Sequence, residues 1–227
     1  MPFIFAPPQQ AAIPVLDERY EFFPIHRVYG IAKNYAEPGA PKAEPFYFMK
    51  PTDNVVAVAE GDVLNVPMPP ETKDLRHEIE LVACLGRGGR NLTLEEAQEA
   101  VWGWCVGIDF TVADAALPSG GRDMLRAKTF ERSAPVSFVK PAYRTPLPQA
   151  VDLWLYVNNQ KRQAGSTTNL IRSPYEQIVE LSRYFTLAPG DIIFTGTPNG
   201  ASTLAIGDMI EAGVNGVGSL KVKIVEG

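Results

Sequence analysis

The chain has 227 residues, 45% hydrophobic and 21% charged, a globular balance that suits one large domain or one domain with a small appendage. A net charge of −5, with lysines and arginines scattered rather than clustered, argues against a nucleic-acid partner. No run is apolar for long enough to span a membrane, and the start lacks a basic n-region and an apolar h-region. The expectation is a cytoplasmic protein with no membrane partner.

In chain order, residues 1–24 are proline-punctuated and aperiodic, and are expected to form an N-terminal arm or small cap on a main domain of residues 25–227. Ile79–Leu85 is short, apolar and β-branched, and predicts a strand. Thr93-Leu94-Glu95-Glu96 fits a capping box, with Ala97, Ala100 and Val101 continuing a helical face as far as Gly103. Val151–Val157 predicts a strand that turns at Asn158-Asn159. Ser173-Pro174-Tyr175-Glu176 is a second capping box with proline at the first helical position, and Pro189-Gly190 closes that helix. Asp191–Thr195 predicts a strand. Asn215-Gly216 marks a hairpin, after which Leu220, Val222 and Ile224 alternate with Lys221, Lys223 and Val225. Cys84 and Cys105 sit in apolar stretches outside any CxxC spacing, and are read as reduced core thiols. Frequent glycine and proline, 19 and 20 residues, go with many short strands. The fold class is α+β and β-rich, a mixed β-roll or sandwich with a few short helices.

Glu78 and Glu80 flank Ile79 at the head of an apolar strand, and strand periodicity puts both on one face. Two carboxylates that close repel each other, and a hard divalent cation removes the conflict. An isolated Glu-x-Glu is more often a solvated strand face. Asp109 ends the apolar run Val106–Ile108, where it could cap a helix or supply a third oxygen ligand. Three carboxylates suit Mg²⁺, Mn²⁺ and Ca²⁺ alike.

Several segments together resemble the fumarylacetoacetate hydrolase family. They are Tyr29–Tyr35 (YGIAKNY), Phe48–Pro51 (FMKP), Lys73–Leu81 (KDLRHEIEL), Gly107–Asp109 (GID) and Ala127–Phe130 (AKTF). Val157–Asn159 (VNN), Arg162–Gly165 (RQAG) and Leu187–Pro198 (LAPGDIIFTGTP) extend the likeness to nearly the whole chain. The proline-rich arm points to the fumarylpyruvate hydrolase-like acylpyruvases within it. The resemblance implies a β-roll domain, a homodimer and a Mg²⁺ or Mn²⁺ ion on Glu78, Glu80 and Asp109. It implies a small keto acid as substrate, in the setting of aromatic-compound degradation. It further implies Lys128 as the ammonium that stabilises the developing enolate, and Lys33, Tyr35 and Thr197 as substrate-binding residues. Taken singly, Lys128 could be a surface charge and Thr195–Pro198 a tight turn.

The sequence also departs from the family. Where hydrolytic members carry a catalytic histidine and a glutamate three residues later, this chain has Pro38 and Pro41, and proline cannot relay a proton. Ala113 and Ala116 stand where the family commonly has arginine and glutamine, with Arg122 and Arg126 as nearby cations. His77 alternates away from the two glutamates, and His26 is read as structural. The expected activity is metal-dependent hydrolysis of a β-diketo acid of the acylpyruvate or fumarylpyruvate type, with Glu37 or a metal-bound hydroxide as base. The alternatives are an oxaloacetate-type decarboxylase or tautomerase, and a non-catalytic metal-binding relative.

Overall fold

Ile79–Leu85 is buried at every position, so it is covered on both faces and lies at the centre of the fold. The computed structural model describes residues 3–18, 21–36, 44–143 and 150–227. In it, this strand pairs antiparallel with Val101–Ile108 on one side and with Ile192–Phe194 on the other. The sheet continues outward through Val28–Ala32 and Phe46–Lys50 at one edge, and through Ala134–Ser137 and Val55–Val58 at the other. A second, five-stranded sheet runs Gln160–Ser166, Asp152–Val157, Met209–Val214, Gly218–Val225, Val63–Pro67. Most pairs are antiparallel, but Ile192–Phe194 with Val28–Ala32, Ala134–Ser137 with Val55–Val58 and Gly218–Val225 with Val63–Pro67 are parallel. The architecture is the mixed, β-rich one expected.

The apolar faces of the two sheets meet in the main core, where Leu81, Ala83 and Leu85 pack in one cluster with Leu155, Ile210 and Val222. The opposite face of the larger sheet presents Val82, Cys84, Cys105 and Phe194 to a second cluster that contains Ile13, Phe23 and Ile25. The N-terminal residues supply this cover as a hairpin of Ala12–Pro14 with Phe22–Pro24. It is tied down by Val139 N–H donating to Pro14 O and Leu16 N–H donating to Val139 O, at 3.0 and 2.8 Å. The two thiols are free and buried, with sulfurs 3.9 Å apart.

Three α-helices are found among the described residues. Helix α1, Leu94–Ala100, has the capping box at Thr93 and Glu96. It ends two residues earlier than the sequence pattern suggests, because β-branched Val101 adopts an extended conformation and pairs with Leu85. Helix α2, Met124–Lys128, is one turn capped by Asp123, and the sequence pattern does not announce it. Helix α3, Pro174–Tyr184, has the predicted cap at Ser173 and Glu176. No described helix is long and apolar enough to cross a membrane.

Candidate metal centre

The antiparallel register builds the carboxylate cluster. Ile79 lies opposite Ile108 and Glu80 opposite Gly107, and Asp109 N–H donates to Glu78 O at 2.8 Å. Glu78 and Asp109 therefore face each other across the end of one ladder, and Gly107 opposite Glu80 adds no competing side chain. One oxygen from each of Glu78, Glu80 and Asp109 lies within 4.8 Å of the others. Glu80 and Asp109 are buried, and Glu78 is half-buried.

Two buried lysines enter from other elements. Lys128, at the end of α2, donates to Glu78 Oε2 at 2.8 Å, Asp109 Oδ2 at 2.5 Å and Thr111 Oγ1 at 2.6 Å. The Phe48 ring lies 4.7 Å beneath its ammonium. It is a buried ion, not a surface charge. Lys50 Nζ stands 2.9 Å from Asp109 Oδ1 and donates to Lys128 O at 2.6 Å and Ser133 Oγ at 3.1 Å. Its contact with Asp109 Oδ1 is an ion pair.

The electrostatics are asymmetric. Burial raises the carboxyl pKa of Asp109, but Lys128 and Lys50 together outweigh it and hold the group below its ordinary value. Burial lowers the pKa of Lys128, and the facing Asp109 and Glu78 more than reverse this, so it stays protonated. Glu80 has no lysine bonded to it among the described residues. Burial, with Asp109 and Glu78 adding to it, pushes its pKa well up, against a 2.6 Å hydrogen bond from Gly196 N–H. Among the described residues two lysines serve Asp109 and Glu78, and Glu80 is the carboxylate left without a cationic partner. An all-oxygen donor set whose members repel one another when ionised fits a hard divalent cation.

The remaining residues expected at the site fall into two groups. Thr197 lies next to Gly196, whose amide holds Glu80, and its Oγ1 accepts from Gln163 Nε2 at 2.9 Å. Tyr35 lies close enough to Glu80 for that carboxylate to add to the effect of burial in raising its phenol pKa. Lys33 is exposed, with positive φ, and its ammonium sits 6.0 Å from the Phe46 ring centroid rather than on the carboxylates. Arg126 is engaged by Asp123 at 2.8 Å and by Ala116 O at 3.0 Å, so it does not serve the cluster. His77 is buried away from the glutamates against Gln163 and Ser202, and His26 pairs with Asp191 at 2.8 Å. Glu37, Pro38 and Pro41 lie outside the described residues.

Three residues with a clear place here carry no role in the sequence reading, namely Lys50, Thr111 and Gln163. Lys50 and Gln163 fall within FMKP and RQAG, so the signal existed as motif membership. What each touches depends on contacts 59 and 86 residues apart in sequence, Lys50 to Asp109 and Gln163 to His77.

Residues 27–225 match the family model described as fumarylacetoacetate (FAA) hydrolase C-terminal. The chain belongs to the fumarylacetoacetate hydrolase family. Among solved structures it is similar to fumarylpyruvate hydrolase from Pseudomonas aeruginosa in complex with Mn²⁺ and pyruvate, at 37% identity and TM-score 0.94, covering 100% of both chains. It is also similar to 5-carboxymethyl-2-hydroxymuconate delta-isomerase from Mycobacterium smegmatis, at 28% identity and TM-score 0.80, covering 95% of this chain and 80% of that one. Among curated relatives, the mitochondrial oxaloacetate tautomerase FAHD1 of Rattus norvegicus is 38% identical over 184 residues, 80% of this chain and 81% of the relative.

Proposed function

We propose that the protein is a divalent-metal-dependent hydrolase of acylpyruvate-type β-diketo acids, with Mg²⁺ or Mn²⁺ held by Glu78, Glu80 and Asp109. The observation that carries this reading is the buried cluster of three carboxylates with a protonated lysine fixed against two of them. The bound cation would supply Lewis-acid stabilisation to the α-keto-acid end of the substrate. In the proposed reaction water adds to the remote acyl carbonyl, the carbon–carbon bond breaks, and its electron pair passes to the pyruvate half as an enolate that is then protonated.

Lys128 supports this chemistry because its ammonium is immobilised by Glu78, Asp109 and Thr111 and needs no reorganisation when enolate charge develops. Lys50 balances Asp109 from the far side. Thr197 and the half-buried Tyr35 flank Glu80, and are the residues proposed to meet the substrate's carboxylate end. Similarity to the P. aeruginosa hydrolase, which binds Mn²⁺ and pyruvate, is consistent with this assignment.

A second reading is an oxaloacetate tautomerase or decarboxylase, favoured by Pro38 and Pro41 and by similarity to the oxaloacetate tautomerases. Enolisation uses the same cation and the same ammonium with no water to activate. Assaying the purified protein with Mn²⁺ against fumarylpyruvate, acetylpyruvate and oxaloacetate separates the readings. Release of pyruvate plus an acid supports the hydrolase, whereas keto–enol exchange or CO₂ release from oxaloacetate alone supports the second. Silence on all substrates with stoichiometric Mn²⁺ bound would reject both.

A further inference from the structure

Gln163 lies on the strand Gln160–Ser166 between exposed neighbours, yet it is 1% exposed. A register shift aims it inward. The pairing passes from Leu155 with Gln163 directly to Tyr156 with Lys161, so Arg162 is the extra residue of a β-bulge. Its amide makes four contacts, which fill its hydrogen-bonding capacity. Oε1 faces Ile79 N at 3.2 Å and His77 Nδ1 at 2.9 Å, and Nε2 faces Pro198 O at 2.7 Å and Thr197 Oγ1 at 2.9 Å.

Two of these partners admit only one polarity. A backbone N–H can only donate and a backbone carbonyl can only accept, so Ile79 and Pro198 together fix which end of the amide is oxygen. The other two roles follow. His77 Nδ1 must carry a proton and donate to Oε1, and in the neutral ring Nε2 then accepts from the Ser202 hydroxyl at 3.0 Å. Thr197 Oγ1 must accept from Nε2, so its one proton is not used in this contact, and it finds no acceptor among the described residues.

We propose that Gln163 is a positioning residue, whose oriented amide holds Thr197 with its hydroxyl proton presented to the carboxylate of a bound keto acid. The inference rests on the assignment of Thr197 to the substrate carboxylate made above. One of its ends is anchored on the Ile79 N–H and the other on the loop that follows Gly196. A carboxylate ligand needs a donor, and this network supplies one without spending a charged group.

A double-mutant cycle on the Mn²⁺-loaded full chain, with pyruvate as probe, tests this. Affinity is read by calorimetry, and Mn²⁺ affinity is measured separately. Thr197→Val and Gln163→Met are each expected to weaken pyruvate about tenfold, the value of one hydrogen bond to a charged group. Gln163→Met in the Thr197→Val background should add less than about twofold, with Mn²⁺ affinity unchanged throughout. If Thr197→Val leaves pyruvate affinity intact, the assignment of Thr197 is wrong and the inference falls with it. If Thr197→Val weakens binding but Gln163→Met has no effect, or the same effect in both backgrounds, the inference alone is overturned. ¹⁵N-histidine NMR on the unmodified protein checks the polarity without any variant. His77 should be the Nδ1–H tautomer, and an Nε2–H tautomer would contradict the network.

Discussion

Glu80 and Lys128 are complementary at the level of single residues: the first lacks a cation and the second holds one in place. Lys128→Met removes the fixed ammonium but none of the three carboxylates. It is expected to lower turnover about 10²–10³-fold, the usual effect of deleting one preorganised donor, without weakening Mn²⁺. A matched loss of metal affinity would show that Lys128 builds the cation site instead of acting on the substrate. Tyr29 gives a separate stability test. Burial pushes its phenol up to about 12, with Asp191 adding to the shift and Arg27 opposing it. Because the folded pKa exceeds the unfolded one, stability is full below about pH 10 and falls as pH rises toward about 12. The buried Tyr29 hydroxyl has no hydrogen-bond partner among the described residues. Tyr29→Phe is therefore expected to flatten that alkaline limb and, near pH 7, to be neutral or stabilising by up to about 1 kcal/mol in urea unfolding. The carboxylates were legible through the family resemblance of the segments that carry them, since spacing alone left Glu78 and Glu80 as a solvated strand face and Asp109 as a possible cap. Lys50 was not, because nothing local to FMKP reveals that its ammonium ends 2.9 Å from Asp109.

At the scale of elements, ladder register and glycine-permitted close approach assemble the site. Gly200, at φ +105°, allows the loop after Thr197 to lie against the Arg162 bulge, where an added Cβ would stand 2.1 Å from Arg162 O. Gly165 similarly lets Pro198 pack on the same strand, since its Cβ would meet Pro198 at 2.5 Å. Gly200→Ala is expected to cost about 1–3 kcal/mol in urea unfolding and to weaken pyruvate binding to the Mn²⁺-loaded protein. A variant with native stability and affinity would remove this loop from the account. Capping boxes, the Asn-Gly hairpin and the alternation of Leu220, Val222 and Ile224 could be read directly, because each is encoded within a few residues. The end of α1 could not, because Val101 is claimed by pairing with Leu85. Helix α2 is a single turn whose lysine points into a cluster assembled by distant strands, so helical periodicity had too little chain to act on.

For the whole molecule, two sheets share one core, and the carboxylates sit where the central strand of the larger sheet meets its neighbour. A fold that gathers three carboxylates at one point gains stability when a cation binds there in the native state alone. Mn²⁺ at 100 times its dissociation constant adds about 2.7 kcal/mol, or roughly 5–10 °C in Tm for a chain of this size. EDTA should reverse the shift, and Glu80→Ala should abolish most of it. The family and the sheet-rich class were legible in the sequence because many short motifs agreed over most of the chain. The charge balance of the site was not, since it depends on which lysines the fold buries beside Asp109. The most direct measurement is anomalous diffraction from a crystal soaked in Mn²⁺. One peak is predicted between Glu78, Glu80 and Asp109, with an oxygen of each at about 2.0–2.6 Å. An ion bound elsewhere, or no peak among these three carboxylates at saturating Mn²⁺, would contradict the metal centre on which the account rests.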